Sequence, residues 1–220
     1  TLVWFMSDNG GLPRLNPPTT GGLRSFKGSM YEGGLRVPAI IEWPKGISEV
    51  RVTKHPAGAV DIFPTIAEVA GLEKSDLLKP QDGMSLAKLF LKELGPRQKP
   101  LPFRSRGRVV VVDNDYKMIS FPDKGKTRYE LYNLANDMGE QDNLVKKEPK
   151  IANRLRKKLK AIDTSVTASV NGQDYPEKKV APQPPRIFWW ERESYRPYFS
   201  EWIKRPEYGQ RLKRHIESQK

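Results

Sequence analysis

Lys27 lies in the stretch RSFKGSMYEGGLRVP, residues 24–38, beside Gly28 and a few residues before Gly33 and Gly34. An ammonium is a compact point charge suited to an oxyanion, and flanking glycine lets backbone and ligand approach closely. Most lysines are solvated surface charges, and that reading stands beside the first. Glu32 and Arg36, four residues apart, read as a local ion pair that shapes the loop; an anion held by Arg36 is the alternative. Upstream, Asp8 and Asn9 follow directly on the apolar run LVWFM. Ligands of open α/β sheets collect at the carboxyl ends of strands, and adjacent Asp and Asn oxygens suit calcium or magnesium. Asp-Asn-Gly is also ordinary turn chemistry, and taken alone it favours the turn.

Other candidates carry less chemistry. Thr19 and Thr20 could hydrogen-bond a substrate, yet loop threonines usually bond their own backbone. His55, before Pro56, reads as a structural or surface residue. Asp113 and Asp115 resemble a carboxylate pair, but they flank a hairpin tip and read as solvated turn residues. With no cysteine and only two histidines, disulfides, thiolate zinc sites, a cysteine nucleophile and a multi-histidine metal site are excluded within these residues.

The elements that must position these residues follow from pattern. LVWFM is a continuous apolar run ending in SDNGG, as expected of a parallel strand buried on both faces. VPAIIEW, residues 37–43, reads as another strand, and the long Gly- and Pro-rich connection between the two marks a functional or disordered loop. DIFPTIAEVAGL reads as a helix capped by Asp61, with Pro64 in its first turn, Gly71 as its stop, and Ile62, Ile66 and Val69 on one face. MSLAKLFL, residues 84–91, is a shorter helix candidate, and GPRQKPLPFRSRG has the composition of a boundary. RVVVVDNDYKMISF then reads as a hairpin, YELYNL as a third strand, and KIANRLRKKLKAI as an amphipathic helix burying Ile151, Leu155, Leu159 and Ile162. Beyond about Val170 the chain turns proline-rich, then aromatic and basic.

The net charge of +13 over 220 residues favours anionic partners, or simply solubility. No apolar run reaches the roughly 20 residues of a membrane span, and none of the known nucleic-acid-binding fingerprints appears. The chain opens on Thr1 inside what looks like a strand, so the start is expected to be a cut edge with an upstream portion missing.

Together, LVWFMSDNGG, GLRSFKGSMYEGGLRVPAIIEWPKGI, HPAGAVDIFPTIAEVAG, DGMSLAKLF and YKMISFPDKGKTRYELYNLANDMGEQDNL resemble the C-terminal half of a formylglycine-dependent sulfatase of the arylsulfatase type. The resemblance covers roughly residues 1–162, and its most specific part is the Lys-Gly…Glu-Gly-Gly-x-Arg-Val-Pro block. It implies an α/β fold: the C-terminal part of an alkaline-phosphatase-like mixed sheet, then a small antiparallel sheet with a packed helix. The implied domains are 1–98 for the catalytic part, 99–170 for the antiparallel subdomain and 171–220 for a basic aromatic tail. It further implies that Asp8 and Asn9 ligate calcium and that Lys27 contacts the sulfate group. The family's formylglycine arises from a Cys/Ser-x-Pro-x-Arg motif that this chain lacks, so the nucleophile is expected upstream. Ser25 and Phe26 depart from the glycines the family often carries there. The implied substrate is a sulfate ester, with sulfated glycans among the candidates, and the implied location is secreted, periplasmic or lysosomal.

The alternative is a non-catalytic module that binds sulfated or acidic glycans through its basic, aromatic C-terminal half. Arg154, Arg156, Lys157, Lys158 and Lys160, with Arg186, Arg192, Arg196, Trp189 and Trp190, would carry that binding; a solvated helix face is the plainer reading.

Overall fold

A computed structural model describes every residue except 14, 15, 78, 182–184, 186 and 220. Residues Thr1–Lys179 form one compact unit and Val180–Lys220 another. In the first unit, β1 (Val3–Met6) pairs antiparallel with β2 (Ala39–Glu42) in a two-stranded sheet. The expected burial of β1 on both faces does not hold. Val3 is 50% exposed, Phe5 64% and Ile40 64%, because no second layer covers this ribbon among the described residues. Between the strands, α1 (Glu32–Leu35) is a single turn.

A second helix, α2 (Ile62–Val69), has Pro64 in its first turn and is followed by Gly71 at φ +77, in keeping with its sequence. Two expectations about it fail. The buried residues are Pro64, Thr65 and Ala67, while Ile66 is exposed, so the core lies on a different side of the helix. Asp61 stands at the N-cap position, but its side chain does not cap the helix. Its carboxylate accepts from the Gly58 and Met84 amides, each at 2.9 Å, and pairs bidentately with Arg97 at 2.7 and 2.9 Å. Arg97 and Asp61 side chains are fully buried. Charge with charge satisfies both groups where a cap would leave the guanidinium unpaired. The stretch read as a boundary thus plugs the core, and MSLAKLFL forms only a short 3-10 turn, Ala87–Phe90.

Four antiparallel strands follow in sequential order: β3 (Leu101–Ser105), β4 (Arg108–Asp113), β5 (Tyr116–Asp123) and β6 (Lys126–Asn133). The β4–β5 hairpin turns at Asn114, whose φ of +57 is one that Asn tolerates. β3 was concealed in the Pro- and Arg-rich stretch; it is one of the two edge strands of this sheet, where Pro102 is tolerated. Period-2 alternation gives the sheet two apolar faces. On one, Leu101, Val110, Val112, Ile119 and Tyr132 pack with Met30, Tyr31, Leu35 and Val60. On the other, Val109, Val111, Met118 and Leu131 pack with Ala152, Leu155 and Leu159 of α3 (Pro149–Val170), flanked by Ile151 and Ile162 as expected. Met30, Tyr31, Leu35 and Val60 thus bring the 1–98 segment into one core with the sheet of 99–170. Asp113 is not a solvated turn residue. It is 7% exposed and accepts from Lys158 at 2.7 Å, with Arg154 at 3.5 Å, because its register turns it toward α3. Asp115 is exposed.

In the second unit, α4 (Phe199–Trp202) and α5 (Pro206–Ser218) follow two 3-10 segments, Trp189–Glu191 and Glu193–Tyr198. Trp189 is the hub of an aromatic cluster with Tyr195, Phe199, Trp202 and Tyr208, at centroid distances of 5.2–6.5 Å. Arg186, named above as a polyanion contact, lies outside the described residues. Among the described residues no helix is long and apolar enough to cross a membrane.

Asp61→Ala would strand the buried Arg97 charge. We expect a loss of about 3–5 kcal/mol, read as a lowered urea midpoint. A change below about 0.5 kcal/mol would show that Arg97 escapes to solvent.

Candidate functional site

Three backbone segments meet at the end of β1. The Gly10 N–H donates to the Gly34 carbonyl at 3.1 Å, the Lys27 N–H to the Gly11 carbonyl at 2.8 Å, and the Gly33 N–H to the Arg24 carbonyl at 2.9 Å. Here the glycines serve backbone packing. A Cβ on Gly10 would lie 2.0 Å from the Gly33 oxygen, one on Gly33 2.3 Å from the Ser25 oxygen, and one on Gly34 2.3 Å from the Ser29 oxygen. The room at Gly33 and Gly34 is thus filled by the chain itself rather than by a ligand, since no side chain tolerates such distances. Gly28 differs: its φ of +90 demands glycine, and open space surrounds it. Ser25 holds φ +65, a left-handed conformation that glycine adopts at no steric cost.

This packing brings the sequence-predicted residues together. Lys27 Nζ lies 3.8 Å from Asp8 Oδ2, with side chains 45% and 82% exposed. Asn9 Nδ2 donates to the same Asp8 oxygen at 2.5 Å, and Ser7 Oγ donates to the Asn9 carbonyl at 2.7 Å. The Asp8 and Asn9 oxygens have the chemistry calcium takes, and they fit as part of a shell of six to eight. Among the described residues no group of three or more His, Cys, Asp or Glu side chains gathers into a metal cluster. Thr19 donates to the Leu12 carbonyl at 3.3 Å, the backbone role expected of it. His55 is half-buried, and its amide donates to Thr53 Oγ1 at 3.0 Å.

The loop is anchored by charges that sequence reasoning missed. Glu32 does pair with Arg36, at 2.8 Å, as its spacing indicated. Its other oxygen, however, meets Lys117 of β5 at 2.8 Å, and Lys117 also contacts Glu140 at 2.9 Å. Glu140 in turn accepts the Glu32 amide at 2.6 Å. Lys117 and Glu140 are fully buried. Burial opposes ionisation of Glu32, but the Lys117 ammonium and Arg36 guanidinium outweigh it and hold its carboxyl below the usual range. Burial pushes the Glu140 carboxyl up, and Lys117 offsets only part of that. Arg24 stacks on Tyr31, 3.8 Å from the ring centroid, and donates to Tyr132 Oη at 3.0 Å and to the Glu140 carbonyl at 2.6 Å. Glu130 accepts from the Tyr31 and Tyr132 hydroxyls at 2.8 and 2.9 Å. The one sequence signal for this network was a lysine at an inward strand position, since Lys117 lies in register with Val112 and Tyr132.

Residues 24–165 match the family model described as N-sulphoglucosamine sulphohydrolase, C-terminal. The chain belongs to this sulfatase family, represents its C-terminal portion, and has its alkaline-phosphatase-like α/β fold. Over 181 residues it is 33% identical to a sulfatase of Formosa agariphila, covering 73% of this chain and 32% of that protein. It is likewise 33% identical to arylsulfatase A of Homo sapiens, covering 66% of this chain and 33% of that one. A solved structure, described under the metabolism of multiple glycosaminoglycans by Bacteroides thetaiotaomicron, matches with a TM-score of 0.63 and 25% identity, over 74% of this chain and 39% of that one. The chain spans about a third of the length of the curated relatives it matches.

Because the folded pKa of Glu32 is depressed, its stabilising contribution is in place above the ordinary glutamate value of about 4.3 and is lost as pH falls through the lower folded value. Glu140 works in the opposite sense, and loses its contribution as pH rises through its raised folded value. Glu32→Gln should therefore cost about 3 kcal/mol at neutral pH. The difference in urea midpoint from the parent should close as pH falls below about 4. A gap that stays constant into acid would show that the Glu32 charge contributes nothing.

Proposed function

We propose that this chain is the C-terminal part of a sulfuric ester hydrolase, in which Lys27 contacts the sulfate group and Asp8 and Asn9 contribute to a calcium site. The observation that carries the reading is the meeting of Lys27 and Asp8 at 3.8 Å on a rigid glycine scaffold, with both side chains open to a ligand. Calcium, when bound, would supply a fixed positive charge beside the sulfuryl oxygens. Asp8 and Asn9 would offer it hard oxygens at the end of β1. Lys27 would place its ammonium against the sulfate, where charge shifts toward the departing ester oxygen as the S–O bond breaks. The long contact to Asp8 leaves that ammonium donor capacity to spend on substrate. The attacking group, a formylglycine in this family, has no source here, since the 220 residues include no cysteine and no Ser-x-Pro-x-Arg run. It would be provided by residues beyond this chain, as would the remaining metal ligands.

In this reading residues 1–98 contribute to the catalytic domain, 99–170 brace the Lys27 loop, and 171–220 are an appended basic and aromatic tail. A sulfated glycan is the favoured substrate class. Its support is the likeness to a structure from glycosaminoglycan metabolism and the surplus of positive charge. A secreted, periplasmic or lysosomal location fits such a substrate.

Two measurements on the full-length enzyme test the assignment. Lys27→Ala should lower turnover of an aryl sulfate about 10²–10³-fold, the usual cost of one preorganised stabilising group. Its melting midpoint should hardly move, because truncating a half-exposed side chain changes stability by about 0.5 kcal/mol or less. Unchanged turnover would refute the sulfate contact. Asp8→Ala should raise the calcium concentration needed for half-maximal activity; an unaltered calcium requirement would remove Asp8 from the metal site.

A further inference from the structure

The five basic residues of α3 expected to act as one patch do not share one environment. Arg154 and Lys158 turn toward Asp113. Arg156, Lys157 and Lys160 instead line a cavity of about 630 Å³ between α3 and the tip of the β5–β6 hairpin, where Lys124 and Lys126 face them. That volume is in the range of roughly 300–1,000 Å³ that holds small ligands. Two carboxylates, Asp123 and Asp163, also line it, and Asp163 is engaged by Arg104 at 2.9 Å. None of the four lysines has an ion-pair partner among the described residues. Arg156 Nε is buried with no hydrogen-bond partner among them. Five cations against two carboxylates, one of them held by Arg104, leave positive charge and one unsatisfied donor that an anion would offset.

The cavity is separate from the Lys27 loop. Val109, Ser120 and Tyr129 line it, and they are cross-strand partners on the α3 face of the sheet. Met30 and Tyr31, next to the Lys27 loop, pack on the opposite face. The sheet itself therefore stands between the two. The one aromatic ring in the lining, Tyr129, has Arg156 over it at 4.9 Å, which takes the face a nucleic-acid base would stack on. Ammonium groups around a solvated hollow suit the tetrahedral sulfates of a carbohydrate better than bases.

We infer that this cavity is a second anion site that holds a non-reacting sulfated unit of a glycan chain. The inference rests on the sulfate-ester reading for the class of ligand alone. Its test uses the full-length protein carrying Lys124→Gln, Lys126→Gln and Lys160→Gln together, all at exposed positions. The charge-matched control carries Lys45→Gln, Lys54→Gln and Lys92→Gln, exposed and outside the cavity. The probes are a heparin-type octasaccharide, a DNA oligomer of equal charge and inorganic sulfate, titrated at physiological salt; turnover of a small aryl sulfate is followed in parallel. The cavity variant should bind the octasaccharide at least tenfold more weakly, the control less than twofold, and aryl sulfate turnover should be unchanged in both. Inorganic sulfate should compete with the octasaccharide in the parent and not in the cavity variant. Equal weakening in both variants would mean bulk charge and would overturn the inference, as would DNA binding as tight as the glycan's. Lys160→Glu alone, checked by its melting midpoint, repeats the test should the triple variant fold poorly. Absence of aryl sulfate turnover in the parent would count against the hydrolase reading and leave the binding result to stand by itself.

Discussion

A lysine with no access to water ties the two halves of the first unit together. Lys117 projects from the middle of a sheet strand into a largely apolar layer and finds Glu32 and Glu140 there. A buried charge of this kind is costly unless it is paired and hydrogen-bonded. The pairing works only if the Glu32 turn sits in one place over the sheet, and the Glu140 carboxylate accepting the Glu32 amide admits just that placement. The cluster is better understood as a positional lock than as a source of net stability, since an apolar replacement of a buried ion pair is often neutral or better. What it locks is the single turn Glu32–Leu35, whose glycines are in backbone contact with both the Lys27 segment and the Asp8 loop.

From that lock the geometry of the site follows by contact. Gly33 rests on the carbonyls of Arg24 and Ser25, Gly34 on those of Phe26 and Ser29, and Gly10 on Gly33. Each contact leaves no volume for a side chain, so the three segments cannot slide past one another. Arg24 adds a second tie, stacking on Tyr31 and donating toward the Tyr132 hydroxyl and the Glu140 carbonyl. Lys27 and Asp8 themselves take little part in this packing, and their exposure is the counterpart of the rigidity beneath them.

The sheet also divides the electrostatics. On the Lys117 face the charges gather around the buried carboxylates of Glu32, Glu130 and Glu140, each of them paired. On the α3 face they are mostly lysines and arginines at the surface, matched only around Asp113 and Asp163. The register of β4, β5 and β6 makes this division, because alternate residues of each strand must face opposite layers. The sheet thereby separates the lysines and arginines of the α3 face from the loop that bears Lys27.

Much of this was legible in the residues alone. The hairpin, the amphipathic helix and its stripe, the C-terminal stop of α2 and the Glu32–Arg36 pair are local, and local spacing encodes them. The Lys-Gly…Glu-Gly-Gly-x-Arg-Val-Pro block carried the most specific part of the resemblance, and its Gly33 and Gly34 stand where a side chain would meet backbone. What spacing could not encode were partners far apart in the chain. Asp61 reads as a helix cap until Arg97, 36 residues on, arrives to claim its carboxylate. Lys117 reads as an ordinary strand lysine until Glu32, 85 residues away, is seen beneath it. Asp113 reads as turn chemistry until α3 brings Lys158 to it across 45 residues. In each case the side chain's role was decided by burial, and burial belongs to the packed layers: a charge that water would solvate on an isolated segment must find a partner once a second layer closes over it.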